Sequence, residues 1–143
     1  MQKNLPSDCG DAVVAQGFVN WPVAAITAGT PLAEVPVDMQ GTNVGLNVGS
    51  MYLLPNAALT ASNSAYATIT VAKRTAGGSP TTIASVTTQI TGSGNWTAFK
   101  PVPLNVVAGA FLAAGDVVTV TVAHTGGGVN VPASQLVGFQ AAA

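Results

Sequence analysis

Apolar residues recur at every second position along most of the chain after Thr42. The first such run places its apolar residues on one parity, and they are Val44, Leu46, Val48, Tyr52 and Leu54. The other parity holds Asn43, Gly45, Asn47 and Gly49. A period of two is typical of a strand with one buried face, because successive side chains point to opposite sides of a sheet. We therefore expect the first set to point inward.

The same alternation returns in three later runs. Their predicted inward residues are Ala67, Ile69 and Val71, then Ala84, Val86 and Ile90, then Val118, Val120 and Val122. Clusters of Gly, Ser, Asn, Thr and Pro separate the runs, and such clusters favour turns. The pattern predicts strands near residues 23–28, 33–39, 44–54, 66–73, 82–90, 96–107, 110–113, 117–123 and 135–140.

Discarding the weakest of these strands, 110–113, leaves about eight. Short strands at regular spacing, separated by turns, indicate an all-β sandwich or barrel. We predict a jelly-roll-like β-sandwich of antiparallel strands. Residues 106–114 are apolar on every side, and a short apolar run of this kind leaves a helix open as an alternative.

The first 40 residues differ in composition from the remainder. They hold four of the nine prolines and five of the charged residues. Because proline lacks a backbone donor and is confined to sheet edges, we predict an extended N-terminal arm and edge strands over residues 1–40. Residues 41–143 would form the sandwich, with a single domain overall. The N-terminus lacks the cationic start and apolar run of a secretory signal, so we expect synthesis in the cytoplasm without export.

Charged side chains make up 6% of the chain, against about 25% in a typical soluble domain. The four Lys and Arg residues give no basic face, so neither nucleic acid nor an anionic membrane is an expected partner. The longest apolar run, residues 106–115, is far shorter than the ~20 residues that a membrane-spanning helix needs. Cys9 is the only cysteine, which excludes an internal disulfide and any Cys-pair metal site.

Few residues could carry catalysis. Cys9 and His124 could form a nucleophilic pair, with Asp116 or Asp11 orienting the imidazole, but no local signature of such enzymes surrounds Cys9. The carboxylates available for glycoside hydrolysis are Asp8, Asp11, Glu34, Asp38 and Asp116, and four of them precede Thr42. We expect no enzyme, no metal and no cofactor. Residues 126–128 are predicted to be a turn, and the glycosylation pattern at Asn95 is interpreted as chance.

The aromatic residues are dispersed along the chain. We expect Phe99, Phe111 and Phe139 in the core, and Trp21 or Phe18 anchoring the N-terminal arm. The alternative is that some of these rings line a groove for a small ligand or glycan.

Three segments together resemble small structural proteins of tailed bacteriophages, in particular jelly-roll capsid decoration (cement) proteins. They are YLLPNAALTASNSAYATITVAKRTAGGS at 52–79, AAGDVVTVTV at 113–122 and GGVNVP at 127–132. The resemblance covers roughly residues 50–140. It implies a homotrimer on the capsid exterior, bound to several copies of the major capsid protein, with no catalytic residues.

Residues 1–40 lie outside this resemblance, and we expect contacts with the capsid or with neighbouring subunits there, at Leu5, Val13, Phe18 and Trp21. Because few charges are present, attachment should depend weakly on ionic strength. Since strand edges need cover, the chain should form an oligomer. The alternative function is a receptor- or glycan-binding head-fibre or tail module on the same fold, because fold does not fix function.

Overall fold

The computed structural model describes residues 17–39 and 45–141, which form two packed antiparallel β-sheets. Over these residues the strands are β1 (Gly17–Val23), β2 (Leu32–Met39), β3 (Leu46–Pro55), β4 (Tyr66–Arg74), β5 (Thr81–Thr87), β6 (Val102–Pro103), β7 (Asn105–Val106), β8 (Phe111–Leu112), β9 (Val117–Thr125) and β10 (Ser134–Gln140). The all-β prediction is confirmed. The described part of the chain contains no helix that could cross a membrane.

The first sheet has the order β1-β10-β3-β6, with β8 also paired to β3, and the second has the order β2-β9-β4-β5-β7. Four of the pairs are nested along the chain: the first strand pairs with the tenth, the second with the ninth, the third with the short eighth, and the fourth with the fifth. The extensive pairings of β3 with β10 and of β4 with β9 join these pairs into the two sheets. β1 and β2 are therefore the edge strands on one side of the sandwich.

The core lies between the sheets and is aliphatic. On β4 the side chains of Ala67, Ile69 and Val71 are fully buried. On β9, Val118, Val120 and Val122 point the same way. The alternation predicted for both strands is confirmed, because each runs in continuous register with its neighbour.

A β-bulge changes the inward face of β3. Its pairing with β10 shifts by one residue between Phe139 and Gln140, which leaves Gly49 as the extra residue on β3. One inserted residue exchanges the two faces of a strand beyond it. Leu46 and Val48 point inward as predicted, but beyond the bulge Met51 and Leu53 are the buried residues. The prediction that Tyr52 and Leu54 point inward is wrong.

Gly49 is required at this bulge by close approach of the backbone. A Cβ atom there would lie 2.7 Å from the Cα of Ala141. Val44, which was predicted to share the inward face, lies outside the described residues.

The end of β5 also departs from the prediction. The strand stops at Thr87, and the N–H groups of Gly92 and Gly94 donate to the carbonyl of Gln89 to form a turn. Ile90 is therefore 61% exposed, and its predicted inward position is wrong. Ile83, whose position in the alternation is opposite to that of Ala84, is also buried, because the register of β4 and β5 shifts there.

The apolar stretch predicted as one strand over 96–107 is broken into β6 and β7. Pro101 and Pro103 remove two backbone donors, so long ladder pairing is impossible. β6 joins the first sheet and β7 joins the second. The helix considered for 106–114 does not form, since Gly109, at φ 74°, turns the chain into β8.

The predicted strand at 23–28 is also displaced. β1 ends at Val23, and Ile26 makes only an isolated bridge to Val131. The chain then turns back, with the N–H of Thr30 donating to the carbonyl of Thr27. Residues 1–16 of the predicted arm lie outside the described residues.

Candidate functional site

The outer face of the second sheet is covered with hydroxyl groups. Thr70 lies between Ser85 of β5 and Thr121 of β9, and Thr68 lies opposite Thr87. All five side chains are partly exposed. We call this surface the hydroxyl face, and its members are Thr68, Thr70, Ser85, Thr87 and Thr121. Hydroxyl groups keep hydrogen bonds with water, so this surface is already satisfied by solvent.

An ion pair ties the edge strand β2 to this face. The guanidinium of Arg74 donates from Nε to Oε2 of Glu34 at 2.9 Å and from Nη2 to Oε1 at 2.6 Å. The hydroxyl of Thr119 donates to the same carboxylate at 2.7 Å. Together these hydrogen bonds lower the pKa of Glu34 to about 2, and the bond from Arg74 makes the largest contribution. The pair therefore holds β2 and β4 across β9, which lies between them.

The outer face of the first sheet is apolar and carries a groove of about 380 Å³. Its lining residues are Tyr52, Leu54, Pro101, Val137 and Phe139. The rings of Tyr52 and Phe139 meet edge to face, with centroids 6.2 Å apart. We call this surface the aromatic groove. None of these described lining residues is charged, and the hydroxyl of Tyr52 is their one polar side-chain group.

Phe99 stands beside the groove with 81% of its surface exposed. Its expected place in the core is wrong, as are those of Phe111, which is 42% exposed, and Phe139, which lines the groove. Phe139 points outward because its neighbour Gly138 occupies the inward position on β10. Trp96 fills the core instead, and its indole N–H donates to the hydroxyl of Ser93.

A second apolar surface opens between the two edge strands. A crevice of about 200 Å³ lies between β1 and β2. Its lining is apolar throughout, and includes Trp21, Leu32, Val35, Val37 and Val120. Trp21 lies at this edge with 44% of its surface exposed. We call this surface the edge crevice.

The residues predicted to contact a capsid or a neighbouring subunit are only partly within the described chain. Leu5 and Val13 lie outside it. Phe18 lies on β1, where the register with β10 shifts. Trp21 lines the edge crevice. Trp21 is the one of the four whose side chain the structure describes, and it lies on an apolar surface. The sequence left open a groove lined by aromatic rings as an alternative, but it did not identify the lining residues.

His124 and Asp116, considered as catalytic partners, lie at opposite ends of β9. Eight residues of strand separate them by roughly 26 Å. His124 approaches the carbonyl of Thr30 with Nε2 at 3.1 Å, and no described group bonds its Nδ1. Cys9, Asp8 and Asp11 lie outside the described residues.

Asp116 caps the turn before β9. Its carboxylate accepts hydrogen bonds from Thr75 Oγ1 at 2.7 Å and from the N–H of Ala113 at 2.9 Å, and Lys73 Nζ lies 3.9 Å away. A buried charge with these partners has a structural role. Within residues 17–39 and 45–141, no three His, Cys, Asp or Glu side chains are grouped closely enough to hold a metal ion.

Residues 126–128 form the predicted turn between β9 and β10. The N–H of Gly128 donates to the carbonyl of Thr125, and both Gly126 and Gly128 have positive φ. The turn contacts the β3–β4 connection so closely that a Cβ on Gly126 would lie 2.1 Å from the carbonyl oxygen of Ser64. Positive φ and close packing therefore explain Gly126 and Gly128, whereas a Cβ on Gly127 would meet nothing within 4 Å.

Comparison with known proteins adds no assignment. Neither a family model, nor a curated protein, nor a solved structure matches this chain. A proposal for the function therefore has to be argued from the surfaces described above.

Proposed function

We propose that this protein is a structural virion protein that binds the outside of a tailed-phage capsid as a homotrimer and stabilises it. Its partners are then the major capsid protein and other copies of itself. It needs no cofactor in this role, because binding alone holds the shell together. The sequence resemblance suggested this role, and three features of the structure support it.

The first support is the order of the strands. A jelly roll is an antiparallel double sheet built from two Greek keys. The nested pairs described above, β1 with β10, β2 with β9, β3 with β8 and β4 with β5, are the pairs that a rolled-up antiparallel ribbon requires. We infer from them that the sandwich is a jelly roll.

The observation that carries the proposal is the edge crevice. Trp21 and Leu32 expose apolar surface beside the core residue Val120. Burying such surface against another protein is favourable by roughly 25 cal/mol per Å². Aromatic side chains are also enriched among the residues that dominate binding energy. A site of this kind suits adhesion to protein better than recognition of a charged ligand.

The scarcity of charge suits the same role. The chain carries four Lys or Arg and five Asp or Glu, and Glu34 is already paired with Arg74. Attachment to a shell would therefore depend on shape and apolar contact. Three copies that bind together would raise the avidity well above the affinity of one copy.

The test is binding to capsids that lack this protein. Purified protein is added to such particles, and bound copies are counted by particle reconstruction, followed by heating to measure genome release. We expect occupancy at regular positions and a higher release temperature. Occupancy should change little between low and moderately high salt. Unoccupied particles, or a steep loss of binding with salt, would contradict the proposal.

Two single variants locate the contact. Trp21→Ala should lower capsid occupancy at least tenfold, while Phe111→Ala should not. The two residues are matched, since 44% of Trp21 and 42% of Phe111 are exposed. Thermal unfolding of both free variants shows whether either change acts through stability.

The second candidate is a receptor- or glycan-binding module, and the aromatic groove is the observation that favours it. Tyr52 and Phe139 offer rings on which a sugar could stack. A sugar also requires partners for its hydroxyl groups, since unpaired polar groups are costly to bury. The described lining provides only the Tyr52 hydroxyl, so the groove fits an apolar protein group better. Glycan binding that is lost in Tyr52→Ala would reverse this preference.

A further inference from the structure

The conformation of Phe99 is unfavourable in two independent ways. Its φ is 61°, a left-handed conformation that bulky L-residues rarely adopt. The N–H of Lys100 donates to the carbonyl of Thr97 at 3.2 Å, so Phe99 occupies the turn position that glycine normally fills. In addition, 81% of the residue is exposed. The ring lies outside the core, so burial of the side chain offsets neither cost.

The surrounding contacts hold this turn firmly. The N–H of Phe99 donates to the carbonyl of Pro55 at 2.7 Å. On one side Trp96 is buried and exchanges backbone hydrogen bonds with Leu59, and on the other side Val102 is buried in β6. The backbone that carries the ring is therefore fixed before any partner arrives. Pre-organised aromatic groups lose little entropy on binding and often dominate an interface.

The aromatic groove has the matching shape and chemistry. Its volume of about 380 Å³ can accept a phenyl ring, and its lining is apolar. The edge-to-face pair of Tyr52 and Phe139 offers ring surfaces of the kind that a third aromatic ring packs against. Pro101, two residues after Phe99, lies in the lining, so projection and groove are neighbours. Phe99 does not fill the groove of its own chain, since its ring is exposed.

We propose that copies of this chain join head to tail, with Phe99 of one copy inserted into the aromatic groove of the next. Phe99 and the groove are different patches, so each copy donates one and accepts one. Such a heterologous contact forms a ring when the rotation between copies closes. The inference deepens the proposed function and rests on its homotrimer, because it names the surface that joins the subunits. The edge crevice then remains available for the capsid.

The absence of charge supports a second copy as the occupant. The groove residues are uncharged, and Phe99 offers no charge either, so the two patches are electrostatically compatible. Lys100 follows Phe99 and is exposed, which leaves its charge at the rim in water. Contact between aromatic groups at the centre with polar groups at the rim is the usual arrangement of a protein interface.

The experiment uses two variants that each break one half of the contact. Phe99→Asp removes the projecting ring and keeps the groove, whereas Val137→Asp places a charge in the groove and keeps the ring. By light scattering we expect the wild type to be an oligomer and each variant alone to be a monomer. An equimolar mixture of the variants should form a one-to-one dimer, because only one intact contact remains between them.

The mixture shows that the Phe99 ring and the groove are the two halves of one contact. The size of the wild-type oligomer separates a closed ring from a two-fold dimer with reciprocal insertion, because the homotrimer proposed above requires three copies. Ile90→Asp is the control, since Ile90 is 61% exposed and lies outside the groove lining, and it should leave the oligomer unchanged. Phe99→Gly is the second variant: it relieves the backbone and should fold at least as well, yet remain monomeric. A monomeric wild type, an oligomeric Phe99→Gly, or a mixture without dimers would overturn the inference.

The two proposals fail separately. Self-association is measured without capsids, so a protein that assembles through Phe99 but leaves particles unoccupied contradicts the decoration role alone. A protein that binds particles but is monomeric in solution contradicts the head-to-tail contact and the homotrimer, and leaves the decoration role standing. If Phe99→Asp keeps the oligomer but loses the capsid, the Phe99 ring binds the shell. If Val137→Asp does so, the groove binds the shell. In either case our assignment of the contact to a second copy is wrong.

Discussion

The two sheets of the sandwich have similar inner faces and opposite outer faces. Inside, both present aliphatic side chains such as Leu53, Leu136 and Val120 to the common core. Outside, the second sheet presents the hydroxyl face, whereas the first presents the aromatic groove. Folding alone accounts for the inner faces. The difference between the outer faces therefore supports the proposal that the aromatic groove, and not the hydroxyl face, takes a second copy.

The hydroxyl face shows how this chain makes a surface that does not need a partner. Threonine has the β-branched shape that favours strands, and its hydroxyl bonds to water. Rings such as Tyr52 and Phe139 favour strands equally well but leave apolar area in water. Large exposed apolar patches on soluble proteins commonly mark binding sites. A chain that can cover one sheet with threonine would not need rings on the other for folding.

We expect the largest difference in folding stability between substitutions on the inner and outer faces of β3. Leu53 is buried in the core while its neighbour Leu54 lies in the groove. Leu53→Ala should lower the free energy of unfolding by about 2–5 kcal/mol, because it leaves a cavity. Leu54→Ala should change it by less than about 1 kcal/mol in the free subunit. Denaturant unfolding of both variants at low protein concentration measures the difference.

Equal losses at the two positions would mean that the groove is part of the core. If Leu54→Ala lowers the stability more than Leu53→Ala, then Leu54 is the buried residue. The alternation would then be unbroken along β3, without a bulge at Gly49. Val120→Ala on β9 is the matched control, and it should resemble Leu53→Ala in direction because Val120 is equally buried.

The alternation of apolar and polar residues predicted the buried face of β4 and β9 correctly, but it predicted only the first part of β3. In the first two strands no residue is inserted, so parity persists from end to end. In β3 the bulge reverses it, and the one local signal was Gly49 inside the strand pattern, since glycine there often marks a bulge. A bulge depends on the strand alongside, here β10, which lies more than 80 residues later in the chain. Local sequence cannot specify it alone.

The candidate surfaces were predictable to different degrees. Trp21 stood out as an aromatic residue in a proline-rich segment, and it lines the edge crevice. A groove lined by aromatic rings was only the alternative, because Phe139 was expected in the core on its hydrophobicity and Tyr52 was predicted to point inward. The position of Phe99 depends on a left-handed turn that sequence would normally mark with glycine. Its exposure became visible only with the fold.

We expect a smaller change in stability at two turns that contain a residue with positive φ. Ala76, in the β4–β5 hairpin, and Phe99 are the two described residues other than glycine with positive φ, at 50° and 61°. Changing either to glycine should stabilise the subunit by about 0.5–1 kcal/mol, because relief of the left-handed conformation outweighs the added freedom of glycine. Only Phe99→Gly should also abolish self-association. Thermal unfolding and light scattering together test the pair.

Loss of assembly in Ala76→Gly would show that association follows backbone stiffness and not the Phe99 ring. Retained assembly in Phe99→Gly would show that the ring is not the contact. Ala76→Asn gives an independent check of the strain, because asparagine tolerates the left-handed region better than alanine.

We expect the smallest change in stability from the ion pair of Glu34 and Arg74, which lies beside the hydroxyl face. The hydrogen bonds from Arg74 and Thr119 lower the pKa of Glu34 from 4.5 to about 2. A carboxyl group whose pKa is lower in the folded state stabilises that state above its unfolded pKa. The contribution should therefore be complete above about pH 4.5 and disappear as the pH falls towards 2. Because the pair is exposed to solvent and salt, we expect a modest change.

Glu34→Gln should be less stable than the wild type at neutral pH, and the difference should shrink between pH 4.5 and pH 2, as followed by urea midpoints. Lys100→Gln removes a charge near the aromatic groove and should not alter this pH dependence. Capsid binding and self-association of Glu34→Gln should match the wild type near neutral pH, since Glu34 and Arg74 lie outside the linings of the edge crevice and the aromatic groove. A binding defect without a stability defect would place a contact on the hydroxyl face, and the contrast between the two faces would then no longer indicate which one binds.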